Sequence, residues 1–219
     1  IQKTFHQNIV PALSQTMLPG SGSCPRVRGA AANTLITVFR PSAGEDDDNA
    51  DESTNNNLPV EQYLDGLLGG LVSILQESSN HHTVHVQAMD ATAAVATAAG
   101  DSFARFYDSF MPAAKGIIMQ ASSEELRPLR GRTMQCIAKI GSAVGVNRFA
   151  ADAQQVMQAM LHMQQQEGTF DEDVSMACAQ ICRAIGTHFT AYLGHCLPPL
   201  LSVLSKKIDF IVRQVSFIL

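Results

Sequence analysis

The sequence predicts an all-α fold, a right-handed solenoid (superhelix) of antiparallel helix pairs. The first observation is a pattern that returns about every 43 residues: an aromatic residue, three variable positions, two apolar residues and a proline. A repeat of 20–50 residues indicates an array of stacked units. Such arrays usually bind other macromolecules and seldom do chemistry. The pattern stands at residues 5–11, 106–112 and 192–198, and at 63–69 with glycine in place of proline.

The second observation is the composition. Hydrophobic residues make up 46% of the 219 residues, yet aromatic residues are only 6% and Trp is absent. The abundant Ala, Leu, Met and Gln are good helix formers. The net charge of −5 argues against nucleic acid as a direct partner, because phosphate binding needs a basic surface, and it suits a basic protein partner. No apolar run reaches membrane-spanning length, so we expect no membrane contact.

The third observation is that each period divides into two segments of helix length. This predicts about five repeats, at 1–40, 58–100, 101–145, 146–186 and 187–219. Since the pattern runs to both ends, we expect a piece of a longer array, whose true ends would need polar capping repeats. The predicted pairs are Lys3–Leu18 with Pro25–Phe39, Pro59–Gln76 with Thr83–Ala99, Ser102–Gln120 with Ser123–Val144, Arg148–Gln165 with Glu172–Ile185, and His188–Leu204 with a segment near Ile208–Leu219.

Glycines and prolines recur at matching places in these pairs. A glycine follows three of the helices as a C-terminal cap, at Gly100, Gly145 and Gly186. A Phe follows each glycine, and a polar residue between them is expected to cap the next helix. Prolines inside the first helix of a pair are expected to bend that helix in the same way in each repeat. These residues are Phe103, Phe149 and Phe189, then Asp101, Asn147 and Thr187, and the prolines Pro11, Pro112 and Pro198.

The acidic stretch 42–57 breaks the period. Apart from Ala it contains no apolar residue, so it cannot bury enough surface to fold and is predicted to be a mobile insert. One interpretation is a solvated linker; the other is an acidic loop that engages the basic targets of the protein or mimics a partner of them.

Little in the sequence indicates catalysis. Five cysteines within helix-like apolar segments indicate reduced, buried side chains in a cytosolic or nuclear protein. His81, His82 and His85 have a spacing that can bring imidazoles to one helix face, but no carboxylate or Cys partner lies convincingly nearby. We therefore expect no catalytic residue, no metal site, no cofactor and no enzymatic activity.

Four stretches, 1–17, 105–118, 129–161 and 181–201, resemble the importin beta-3 branch of the karyopherin-beta nuclear transport receptors. The resemblance is one of whole helices in order, and it is strongest over 129–161. It implies HEAT repeats (an armadillo-type fold) from the middle of a longer superhelix. It also implies shuttling between cytoplasm and nucleus, carriage of basic protein cargo through the nuclear pore past Phe-Gly nucleoporins, and release of that cargo by the Ran GTPase in its GTP form.

In such arrays the second helices line the concave face, where carboxylates would contact the Lys and Arg side chains of a nuclear localisation signal. Among the candidate carboxylates, Asp90 has an alternative interpretation, in which it is a polar residue with a partner inside the protein and does not bind cargo. For the other carboxylates the alternative is an acidic first turn that complements the helix dipole. The candidate cargo-binding residues are Asp90, Glu124, Glu125, Asp171, Glu172 and Asp173.

Arg28 and Arg130 each precede a glycine at equivalent places in two second helices. The resemblance implies a pairing of such an Arg with a carboxylate of the neighbouring repeat; contact with Ran or with an acidic cargo patch is the alternative. The function that competes with transport is a HEAT-repeat scaffold for another protein complex, since periodicity alone does not separate the two.

Overall fold

The computed structural model describes residues 2–39, 59–77, 81–167 and 172–202, together with Ser205. The predicted all-α solenoid is confirmed, and the described residues contain no β-strand. Residues 193–202 are also helical after the eighth helix. The helices are α1 (Gln2–Met17), α2 (Pro25–Val38), α3 (Leu64–Gln76), α4 (His82–Ala99), α5 (Ala104–Gln120), α6 (Arg127–Val144), α7 (Val146–Glu167) and α8 (Glu172–Ile185).

Consecutive helices form four pairs, in which α1 packs on α2, α3 on α4, α5 on α6 and α7 on α8. Each has an apolar stripe, which in α6 is Met134, Ile137 and Ile140, all fully buried. The division into five repeats stays a prediction, because the segment 208–219 lies outside the described residues. The insert 42–57 and its predicted mobility lie outside them as well.

The second helices form one closely packed layer, in which α2, α4, α6 and α8 stack directly on one another. The backbones of successive first helices approach one another less closely, and polar side chains bridge the wider gaps. Between α5 and α7, Tyr107 Oη and Lys115 Nζ each donate to the carboxylate of Asp152 at 2.6 Å. A superhelix curves towards its more closely spaced layer, so the second helices line the inner side.

Many helices open with a 3-10 turn that the sequence did not predict. These turns are Val60–Tyr63 before α3, Gly100–Phe103 before α5, Glu124–Leu126 before α6 and Gly186–Tyr192 before residues 193–202. The predicted segments began within or just before these turns. The sequence therefore located the helical segments but did not distinguish a 3-10 first turn from an α-helical one.

The three predicted glycine caps adopt positive φ angles, 52° at Gly100, 84° at Gly145 and 54° at Gly186, which favour residues without a Cβ. The Phe after each is buried. The prediction that a polar residue caps the next helix is wrong: Asp101 and Thr187 lie inside 3-10 turns and Asn147 lies inside α7. The 3-10 turn before α5 moves the N-cap position on to Phe103, which makes no side-chain capping hydrogen bond.

The prolines lie where they were predicted, Pro11 inside α1, Pro112 inside α5 and Pro198 in the helical stretch 193–202. All five cysteines are free thiols, and three of them are buried. Two cysteines depart from the predicted burial: Cys24 is exposed at the position before α2, and Cys182 is only part-buried. Among the described residues, no helix has the length and apolarity that a membrane span requires.

Candidate functional site

The inner layer carries a charged cluster that spans three repeats. Arg132 of α6 lies between Asp90 of α4 and Asp173 of α8. Its Nη1 is 3.9 Å from Asp90 Oδ1, and its Nε is 3.4 Å from Asp173 Oδ1. All three side chains keep contact with solvent, with 43% of Arg132, 31% of Asp90 and 28% of Asp173 exposed. We call Asp90 and Asp173 the acidic cluster.

Asp173 is held in place by α6. A Cβ atom at Gly131 would lie 2.4 Å from Cβ of Asp173, so only glycine leaves room for this side chain. The amide nitrogen of Gln135 donates to Asp173 Oδ1 at 2.9 Å and to its backbone carbonyl at 3.3 Å. Asp173 also lies in the first turn of α8, where a carboxylate complements the helix dipole. Its structural role and a role in binding are therefore compatible.

An open cavity of about 330 Å³ adjoins this cluster, lined by Arg132, Gln135, Glu172, Asp173 and the half-exposed Met176. In this lining, the carboxylates of Glu172 and Asp173 lie beside the flexible apolar side chain of Met176. A Lys side chain needs such a lining, because its aliphatic stem packs on apolar surface while its ammonium group seeks carboxylate oxygens. The cavity therefore suits a long cationic side chain.

Asp90 is electrostatically the most unusual carboxylate of the cluster. Burial raises the pKa of Asp90 above its ordinary value, and the nearby Asp173 adds to the rise. The charges of Arg132 and Lys139 lower that pKa but do not cancel the effect of burial. Burial thus disfavours the charged form of Asp90, and a cationic ligand beside it would favour that form.

Of the other predicted carboxylates, Glu172 lines the adjoining cavity, whereas Glu124 and Glu125 lie apart from the cluster. Glu124 and Glu125 are exposed in the 3-10 turn before α6, and Glu125 Oε1 lies 3.9 Å from His82 Nδ1 at the start of α4. Asp171 lies outside the described residues. Of the six predicted cargo-binding residues, the structure brings Asp90, Glu172 and Asp173 into one region.

Arg28 and Arg130 are buried and hold the ends of first helices. Arg28 Nε donates to the carbonyl of Met17 at 2.8 Å, and Arg130 Nη1 donates to the carbonyl of Ala121 at 3.3 Å. Each bond satisfies a carbonyl that a helix C-terminus leaves without an intrahelical partner. Arg28 also reaches the next repeat, where it pairs with Glu77 at 2.6 Å and donates to Ser73 Oγ at 3.0 Å.

The histidine cluster has a structural arrangement. His85 occupies the place in α4 that Arg28 and Arg130 occupy in their helices, and its Nε2 donates to the carbonyl of Glu77 at 3.1 Å. His81 precedes α4 and accepts a hydrogen bond from the backbone N–H of Thr83. Within the described residues, no group of three or more His, Cys, Asp or Glu side chains is placed to hold a metal ion.

Sequence reasoning missed Arg132, Gln135 and Met176. Gln135 follows Asp90 by 45 residues, about one repeat, and this spacing was a signal that both face the same layer. Arg132 carried no such signal, because its importance comes from the two carboxylates that neighbouring helices place around it.

No family model matches the chain. The chain is 31% identical over 207 residues to Importin subunit beta-3 of Saccharomyces cerevisiae, and the matched region covers 92% of this chain and 17% of that relative. It is 27% identical over 160 residues to the Probable importin-5 homolog of Dictyostelium discoideum, covering 71% of this chain and 14% of the relative. The chain thus spans less than a fifth of the length of these relatives.

Solved structures agree with this relationship. A crystal structure of Kap121p bound to Pho4p superposes with a TM-score of 0.74 at 30% identity, over 92% of this chain and 17% of that chain. A crystal structure of Kap121p bound to RanGTP superposes with a TM-score of 0.66 at 30% identity, over 92% of this chain and 18% of that chain. By its sequence and its fold, the chain belongs to the importin beta-3 branch of the karyopherin-beta family.

Proposed function

We propose that this chain is a segment of a nuclear transport receptor and that its inner layer binds cargo carrying a basic nuclear localisation signal. The observation that carries the proposal is the placement of two part-exposed carboxylates, Asp90 on α4 and Asp173 on α8, on either side of α6, with Asp173 lining a cavity that suits a lysine side chain. Carboxylates in partly buried positions form charge-assisted contacts with Lys and Arg and give an interface its charge specificity.

The relatives support a transport role. They are importins, and Kap121p has been crystallised with Pho4p and, separately, with RanGTP. A HEAT-repeat scaffold outside transport would share the architecture, but importin relatives at this identity do not favour it. The receptor acts by binding, without covalent chemistry and without a cofactor.

Release of cargo by Ran-GTP is part of the proposal. The chain resembles Kap121p bound to Pho4p more closely than Kap121p bound to RanGTP, with TM-scores of 0.74 and 0.66 over the same share of the chain. This difference supports a superhelix whose conformation in this segment changes on Ran binding. To reverse the occupancy of the cargo site, Ran-GTP must favour the released form by roughly 5 kcal/mol.

Passage through the pore implies contact with Phe-Gly nucleoporins and a distribution between cytoplasm and nucleus. Such contacts would use gaps between the first helices. Phe110 and Phe149 are buried and so serve the core of this segment, whereas Phe106 is only partly buried. We therefore place the nucleoporin contact in the gaps between the first helices, and not at the side chains of Phe110 and Phe149.

The test is fluorescence anisotropy of a labelled lysine-rich import-signal peptide titrated with the whole chain across a range of salt. We expect micromolar binding that weakens with salt, and a loss of about tenfold or more for Asp90→Ala or Asp173→Ala, as for truncation of one partner of a part-buried charge pair. Asp108→Ala is the matched control, because Asp108 is an exposed carboxylate on the first-helix layer. Absence of binding by a chain that circular dichroism shows to be helical would contradict the proposal.

A further inference from the structure

We propose that Arg132 is an internal competitor of the cargo, an arginine that occupies the acidic cluster when no cationic ligand is bound and limits the affinity for lysine side chains. This inference rests on the proposed function and concerns the regulation of the same site. The guanidinium group already stands between Asp90 and Asp173, where a positively charged group of the cargo would bind.

The distances show that Arg132 is held loosely. Its closest approaches to the two carboxylates are 3.4 and 3.9 Å, whereas charge-assisted hydrogen bonds have lengths of about 2.7–2.9 Å. In the same chain Arg28 approaches Glu77 to 2.6 Å and Arg148 approaches Asp108 to 2.6 Å. Arg132 is also 43% exposed, so its side chain can leave the cluster without opening the core.

The charges around Arg132 favour competition over permanent pairing. The carboxylates of Asp90 and Asp173 lie 3.9 and 3.4 Å from this guanidinium, and Glu172 lines the adjoining cavity. Lys139 acts on Asp90 from the same helix as Arg132. Gln135 already satisfies part of Asp173 through its amide hydrogen bond. An incoming ammonium group therefore finds carboxylate oxygens available once Arg132 withdraws.

Competition of this kind lowers the apparent affinity by the fraction of molecules in which the site is free. A part-exposed ion pair is weak, so the free fraction stays substantial. We expect Arg132→Gln to bind a lysine-rich peptide about two- to tenfold more tightly than the wild type. The salt dependence of binding should become steeper, because the cluster is then more negative before the peptide arrives.

The experiment measures peptide anisotropy for the whole chain with Arg132→Gln, Arg132→Lys and Arg26→Gln, each checked for helicity and thermal stability. Arg26 is the matched control, because it is an exposed arginine of the second helix α2 and its loss changes the net charge equally. Tighter binding by Arg132→Gln alone, abolished when Asp90→Asn is added, is the expected result. Arg132→Lys should bind as the wild type does.

Two results would overturn the inference, and they have different meanings. If the wild type binds and Asp90→Ala weakens it while Arg132→Gln binds no more tightly than Arg26→Gln, the site is a cargo site but Arg132 does not compete. If neither the wild type nor Arg132→Gln binds although both are folded, the proposed function fails and the inference falls with it.

Discussion

Asp173 packs against the backbone of Gly131 so closely that a Cβ atom at residue 131 would lie 2.4 Å from Cβ of Asp173. The contact joins α6 to the first turn of α8 and fixes the position of a carboxylate of the acidic cluster. A Cβ atom there would meet another Cβ, which cannot move aside as the end of a flexible side chain can.

Gly131→Ala is therefore expected to lower the free energy of unfolding by about 1–3 kcal/mol through overpacking, and also to weaken peptide binding. Urea denaturation and anisotropy measure the two effects. The control is Gly116→Ala in α5, where a Cβ would meet no atom within 4 Å. That variant should gain up to about 1 kcal/mol, because Ala restricts the unfolded chain. Equal stability of the two variants would show that α8 shifts freely.

Arg28→Met should destabilise the fold. It removes hydrogen bonds to the Met17 carbonyl, to Glu77 and to Ser73 and leaves a helix-end carbonyl buried. The cost of leaving such groups without partners is about 1–3 kcal/mol. Thermal unfolding followed by circular dichroism measures it. Arg26→Met, a change at an exposed position of the same helix, should leave the melting temperature nearly unchanged; an equal drop in both would refute the structural role of Arg28.

Asp152→Asn tests the bridge between α5 and α7. Burial opposes the charge of this carboxyl, but hydrogen bonds from Lys115 and Tyr107 and the charge of Lys115 hold the pKa of Asp152 below its ordinary value of 3.8. A lowered pKa contributes stability that is present above the unfolded-state value and is lost as pH falls through the folded-state value. Near neutral pH the substitution should therefore destabilise, by about 1–2 kcal/mol.

The stability difference between the wild type and Asp152→Asn should stay constant from pH 7 to about pH 5 and shrink below pH 4. Urea titrations at each pH measure it. The control is Asp108→Asn, whose carboxylate is 78% exposed beside Arg148 and should matter little. A difference that persists to pH 2 would show that the charge of Asp152 contributes nothing.

Asp90 should behave in the opposite sense. Since burial raises its pKa, the folded protein favours the protonated form; the stability linked to that proton is full below the unfolded-state pKa and is lost as pH rises through the folded-state value. Asp90→Asn should therefore be at least as stable as the wild type at pH 7, although it binds peptide more weakly. A clear loss of stability in a urea titration would show that the charge of Asp90 supports the fold.

The same pKa shift predicts how peptide binding depends on pH. As pH falls from 7, Asp90 should lose its charge above the ordinary Asp value of 3.8, and affinity for the lysine-rich peptide should fall in that window. Anisotropy at constant ionic strength measures this. In Asp90→Asn the decline should be shallower and displaced to lower pH; an identical profile would assign the dependence to another group.

Much of the fold could be read from the sequence because a repeat array is built from local and periodic features. An apolar stripe and a terminal glycine are visible in a window of about 20 residues, and both recur in register with the aromatic pattern. The buried Phe149, which fills the space left by Gly141, follows from the same register. The 3-10 turns were not predicted, because a 3-10 and an α-helical first turn have nearly the same sequence signature.

The candidate site was less predictable from the sequence than the fold was. The sequence alone determined that carboxylates lie on second helices, since Asp90 stands out in an Ala-rich segment and Asp173 opens a helix. Only the tertiary structure decided that α6 brings Arg132 between these two carboxylates while Glu124 and Glu125 remain apart. The physical reason is that periodicity assigns a residue to a layer, whereas the partner of a charge depends on the register between neighbouring helices, which the packing of side chains such as Asp173 against Gly131 sets.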